Sequence, residues 1–133
     1  MDYTSESTGH AKFAQHLQMT VECAEPDFAR VSMPLDEVHI NRFGAAHGGV
    51  IAALADVAFG AAANARRETG IVTLSTGIDY LRPGRKGPLI AEARSIRRGG
   101  HIVHYEVDVF DAEKTLLAKV MITGYITDVR LPD

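Results

Sequence analysis

The sequence predicts an α+β fold, an antiparallel sheet wrapped around one long central helix. Two observations carry this. One long Ala-rich helical stretch follows two strand-like segments, and four more strand-like segments come after it with turn residues between them and no second long helix. At 133 residues, 46% hydrophobic and 23% charged, the chain reads as one domain over residues 1–133 with apolar content enough for its own core.

Each element has a local reason. Residues 1–19 form an N-terminal segment in which Ala11, Phe13, Ala14 and Leu17 space a short amphipathic helix. Thr20 to Ala24 and Ala29 to Leu35 are strand candidates around the turn-like Glu25-Pro26-Asp27, and Glu37 to Ala46 reads as a loop. The central helix is expected over residues 47–68. Val50, Ile51, Leu54, Val57, Ala58, Ala61 and Ala65 recur at steps of three and four, Arg66 and Arg67 suit the negative helix end, and Gly70 stops it. Strands are then expected from Ile71 to Leu81, Leu89 to Arg97, His101 to Phe110 and Thr115 to Thr127, as an antiparallel meander. An Ala-rich helix lets neighbouring backbones come close. One curled sheet buries only one stripe of it, so a second copy of the chain is the expected cover, giving a homodimer.

Composition narrows the function classes. Lys+Arg is 14 against Asp+Glu 17, so the basic excess of a sequence-independent nucleic-acid binder is missing. A single cysteine, Cys23, excludes an internal disulfide framework and a cysteine-rich zinc module. The first residues show no basic region followed by an apolar one, and the most apolar stretch, Val50 to Ala65, is broken by Asp56 and Asn64. A cytoplasmic protein with no membrane span and no nucleic-acid partner is therefore expected.

The groups able to do chemistry gather in Asn41-Arg42-Phe43-Gly44-Ala45-Ala46-His47-Gly48-Gly49, with Asp56 further on. His47-Gly48-Gly49 falls where a loop becomes a helix. There the first N–H groups lack intrahelical acceptors, and glycines keep side chains off them. Such a tip can polarise a carbonyl, although the same glycines would also serve a sharp loop. Asp56 sits inside an apolar run, where a carboxylate is costly unless it is bonded or faces water. His47 and Asp56 are nine positions apart, which puts them on opposite sides of a straight helix and about 13 Å apart along it. If both serve one reacting atom, one of them comes from a second chain. His101 and His104 fall on opposite faces of one strand, a poor metal pair.

The frame Asn41, Gly44, His47-Gly48-Gly49 and Asp56, followed by Tyr80-Leu81-Arg82-Pro83-Gly84, resembles the hotdog-fold acyl-CoA thioesterases of the phenylacetate-pathway (PaaI-like) type over nearly the whole chain. The resemblance implies hydrolysis of an acyl-CoA thioester to a carboxylic acid and CoA, without metal or other cofactor. The active sites would be shared across a homodimer, and a tetramer built from two such dimers is common in that family. It implies Asp56 as general base or nucleophile, the Gly48 N–H as the group that polarises the carbonyl, and His47, Asn41 and Gly49 lining the site. Thr73, Ser75 and Thr76 compete to assist the water. The CoA arm would follow Arg82, Pro83, Gly84 and the turn Arg97-Arg98-Gly99, while Gly100 stands where relatives often carry a basic residue. Two alternatives share the fold, an enoyl-CoA hydratase and a non-catalytic acyl-CoA-binding module. The Asp-x-Asn-x-x-His frame of the hydratases is absent, since Asp36 is followed by Glu37-Val38-His39-Ile40.

Overall fold

A computed structural model describes residues 11–132. In chain order these form helix α1 (Lys12–His16), strands β1 (Thr20–Glu25) and β2 (Phe28–Met33), and a 3-10 turn (Glu37–His39). Helix α2 (Gly48–Asn64) follows, then β3 (Thr69–Tyr80), β4 (Leu89–Arg98), β5 (Ile102–Phe110) and β6 (Leu116–Arg130). The six strands make one antiparallel sheet in the order β1-β2-β4-β5-β6-β3. Residues 1–10, including part of the expected N-terminal segment, lie outside the description.

The sheet wraps α2 because its inner face is apolar at every second position. Val103, Tyr105, Val107 and Val109 of β5 are fully buried, as are Leu89, Ala91 and Ala93 of β4. Alanines on the helix and on β4 leave room for close contact. One close approach is at Gly124 of β6, where a Cβ would stand 2.7 Å from the Phe59 ring. Phe59 in turn meets Tyr105 edge-on, with ring centroids 5.2 Å apart.

Two expectations are corrected. The four later strands are not a continuous meander: β4, β5 and β6 are, but β3 lies at the far edge beside β6. Residues 81–88 are a long connection across the sheet, not a hairpin turn, so adjacency in sequence fails there. The helix also ends earlier than residue 68. Asn64 turns its buried side chain to the chain beyond, donating from Nδ2 to the carbonyls of Gly60 (3.0 Å) and Ile71 (3.1 Å) and accepting the Ile71 N–H at Oδ1 (2.7 Å). Ala65 is then extended and Arg66 takes a positive φ of 58°, so Gly70 lies within β3.

Among the described residues, β3 is a long edge strand paired only with β6. Residues 72–77 are exposed on both faces, with Val72 49% and Leu74 58% accessible. On α2 one face is left partly uncovered, including half-buried Val50, Ala52 and Val57. Gly49 and Asp56 are exposed, Ala53 and Gly60 half-buried, at steps of three and four.

Candidate active site

The loop before α2 is built by its own hydrogen bonds. Asn41 Oδ1 accepts the N–H groups of Phe43 (2.9 Å) and Ala45 (3.2 Å), and the Asn41 carbonyl accepts that of Gly44 (3.1 Å), which carries a positive φ of 77°. Ala46 N–H donates to Gly84 O (2.7 Å) and His47 N–H to His39 O (2.8 Å). His39 is fully buried. Its Nδ1 accepts from Asp36 N–H (2.9 Å) and its Nε2 donates to Leu17 O (2.8 Å), so one imidazole anchors this loop to the chain before β1. The sequence reading gave His39 no role.

His47 caps α2. Its Nδ1 accepts the Gly49 N–H (2.8 Å), and its carbonyl takes those of Val50 and Ile51. From Phe43 to Ile51, therefore, every backbone N–H has an acceptor among the described residues except that of Gly48. As the first helical N–H it has none inside the helix. Gly48 and Gly49 line an open cleft of about 460 Å³ with Asn41, Tyr80 and Arg82-Pro83-Gly84. Asn41 keeps only its Nδ2 donor for a ligand there, because its oxygen is engaged in the loop. Arg82 is held by donation to Leu116 O (3.0 Å).

Asp56 does not line this cleft. It is exposed on α2, and its Oδ1 accepts the Thr73 hydroxyl at 2.7 Å. The register of β3 separates the three hydroxyl candidates. Thr73 pairs with Gly124 and Thr76 with the buried Ile122, both on the inner face, whereas Ser75 pairs with Thr123 on the outer face beside His104. A bulge between Thr73 and Ser75 causes the switch.

The turn Arg97-Arg98-Gly99 lies at the other end of the helix. Arg98 donates to the Asp27 carboxylate and to the Tyr105 hydroxyl (2.7 Å), while Asp27 N–H donates to Ala62 O near the end of α2 (3.1 Å). A helix of 17 residues is about 25 Å long, so this turn is a helix length from its own chain's cleft. Tyr105 also donates to Asp27. Burial and the bond to Asp27 push the Tyr105 phenol well above its ordinary range. Burial works against ionised Asp27, but the bonds from Tyr105 and Arg98 outweigh it and hold its carboxyl below the usual range. Arg98 is thus committed within the protomer, while Arg97 is exposed. His101 precedes β5, and its ring stacks on Tyr125 of the outer face, so it does not oppose His104 as expected. Among the described residues no helix is long and apolar enough to cross a membrane.

A model of the thioesterase superfamily matches residues 43–118, which contain the loop after Arg42, the helix, β3, the long connection, β4 and β5. The chain belongs to the thioesterase superfamily. Its hotdog fold and its class, a thioester hydrolase, go with that membership. The acyl-coenzyme A thioesterase PaaI of Escherichia coli is 26% identical over 89% of this chain and 88% of its own. The structure of that protein superposes with a TM-score of 0.85 at 25% identity, covering 96% of each chain. A mutant of the phenylacetic acid degradation protein PaaI of Thermus thermophilus is 33% identical, with a TM-score of 0.80 over 90% of this chain and 99% of the other. The protein smu.793 of Streptococcus mutans, solved bound to acetyl CoA, is 27% identical, with a TM-score of 0.78 over 85% and 91%. Tyr80, part of the quoted motif but given no role, is the site residue that sequence reasoning missed. Its place on the inner face with Thr76 was open to strand alternation.

Proposed function

We propose that this thioesterase hydrolyses acyl-CoA as a homodimer, with each active site made from the helix tip of one subunit and Asp56 of the other. The observation that carries the reading is the Gly48 N–H, without an acceptor among the described residues, in the lining of a cleft rimmed by Arg82. Gly48 and Asp56 are separated by about 12 Å along one helix. A thioester carbonyl within about 3 Å of the first cannot also meet a water held by the second. The bare β3 edge supports two copies. A second β3 beside it would satisfy its open backbone groups and lay the partner's helix tip against Thr73 and Asp56.

In this reading Asp56 acts as general base. Thr73 holds Oδ1, and Oδ2 takes a proton from water while the oxygen adds to the thioester carbon. The Gly48 N–H receives the oxyanion. Collapse breaks the C–S bond, and the CoA thiolate recovers the proton from Asp56. No metal or other cofactor takes part. The CoA arm runs along Arg82-Pro83-Gly84. Arg97 of the other subunit, rather than the committed Arg98, meets a CoA phosphate beside Gly99.

Asp56→Asn tests this. Thiol release across acetyl-, hexanoyl- and benzoyl-CoA should fall by about 10²- to 10⁴-fold with the dimer intact. A wild-type rate in that variant contradicts the role. Incorporation of ¹⁸O from water into Asp56 in a single turnover would replace the base by a nucleophile.

A further inference from the structure

Two glycines at the tip let substrate reach the backbone, but they also leave that backbone loose, since glycine has the widest conformational range. An oxyanion donor works only if its direction is fixed before the reaction. The peptide unit joining Gly48 to Gly49 is gripped at both ends. Its N–H donates to His47 Nδ1 at 2.8 Å. Its carbonyl, that of Gly48, accepts the Tyr80 hydroxyl at 2.8 Å. The Tyr80 ring also lies over Gly48, so a Cβ there would stand 3.3 Å from both Cζ and Oη. Tyr80 comes from β3, the strand that also carries Thr73, which holds Asp56. The Gly48 N–H itself belongs to the preceding His47–Gly48 peptide, whose carbonyl takes the Val50 and Ile51 N–H groups, so both peptides that flank the Gly48 Cα are anchored, the second of them by the strand that also holds the carboxylate.

We propose that Tyr80 is a positioning residue of the thioesterase reaction: its hydroxyl holds the carbonyl of the Gly48–Gly49 peptide and so fixes the torsions of Gly48, about which the preceding peptide, the one that carries the Gly48 N–H, would otherwise turn away from the cleft. His47 holds the other end of the same peptide and acts through it rather than on the substrate. The inference rests on the acyl-CoA reading above. It goes beyond it by assigning a residue that touches neither the reacting carbonyl nor the water.

Tyr80→Phe is the test, because it keeps the ring and removes the one bond. Hexanoyl-CoA is the substrate. Two inhibitors serve as probes: a ketone in which CH₂ replaces the thioester sulfur of hexanoyl-CoA, and S-hexyl-CoA, which has no carbonyl. For the variant we expect kcat to fall roughly five- to ten-fold, with the melting temperature unchanged. The ketone should bind more weakly by a similar factor, and S-hexyl-CoA as tightly as to wild type. Equal kcat in variant and wild type, or equal weakening of both inhibitors, overturns the role of Tyr80 and leaves the thioesterase reading standing. A wild-type protein that releases no thiol from any acyl-CoA overturns that reading and this one with it.

Discussion

At the scale of single residues the site is a matter of which polar groups are already spoken for. Thr73 and Ser75 differ by two positions and one hydroxyl type, yet only Thr73 reaches Asp56. Thr73→Val should lower kcat roughly five- to ten-fold, the effect of one hydrogen bond, whereas Ser75→Ala should leave turnover unchanged. Steady-state kinetics on the two variants checks this. An equal loss in both would mean the bulge does not separate their faces. The catalytic candidates themselves were legible. A loop running into two glycines at a helix start pointed to exposed amides, and the Gly48 N–H has no acceptor among the described residues; an Asp in an apolar run called for a bonded or wet carboxylate, and Asp56 is exposed and bonded to Thr73. The choice among Thr73, Ser75 and Thr76 was not legible, because strict alternation puts Thr73 and Ser75 on one face and only the bulge at Leu74 parts them. Asn41 also read more simply than it is. Its oxygen builds the loop, and only its amide nitrogen is left for a ligand.

Among elements, the helix start was clear and its end was not. Alanine propensity carries a helix past Ala65 with no local stop before Gly70, but a tertiary bond set from Asn64 to Ile71 ends it first. The order of the strands was hidden for a similar reason: the pairing of β3 with β6 is a long-range choice that no turn residue announces. The β1–β2 turn is fixed to the β4–β5 turn by Asp27, Arg98 and Tyr105. Because the native state holds Asp27 below its unfolded value of about 3.9, it binds fewer protons there than the unfolded chain. The stability from this tie is therefore present above about pH 4 and lost as pH falls through the native pKa. Asp27→Asn should lower the urea midpoint at pH 7 and flatten the decline between pH 4 and pH 2. A variant with the wild-type acid slope would show that Asp27 does not contribute to it.

For the whole molecule, the protomer leaves two things unfinished: a long exposed strand edge and a site whose parts lie about 12 Å apart on one helix. In the proposed dimer a two-fold partner would complete both at once. Half of this was open to the sequence: if His47 and Asp56 serve one reacting atom, their spacing calls for a second chain. The bare edge needed the strand order. Mixing two inactive variants tests the shared site. Gly48→Pro removes the tip N–H at a first-turn position where proline is accepted, and His47 before it already has the extended backbone that proline demands, at φ −63° and ψ 136°. Alone, Gly48→Pro and Asp56→Asn should each be nearly inactive. Refolded together in equal amounts, they should regain about a quarter of wild-type thiol release, because half of the dimers are mixed and each mixed dimer holds one intact site. A mixture no more active than its two components would mean that the amide tip and the carboxylate do not meet across subunits.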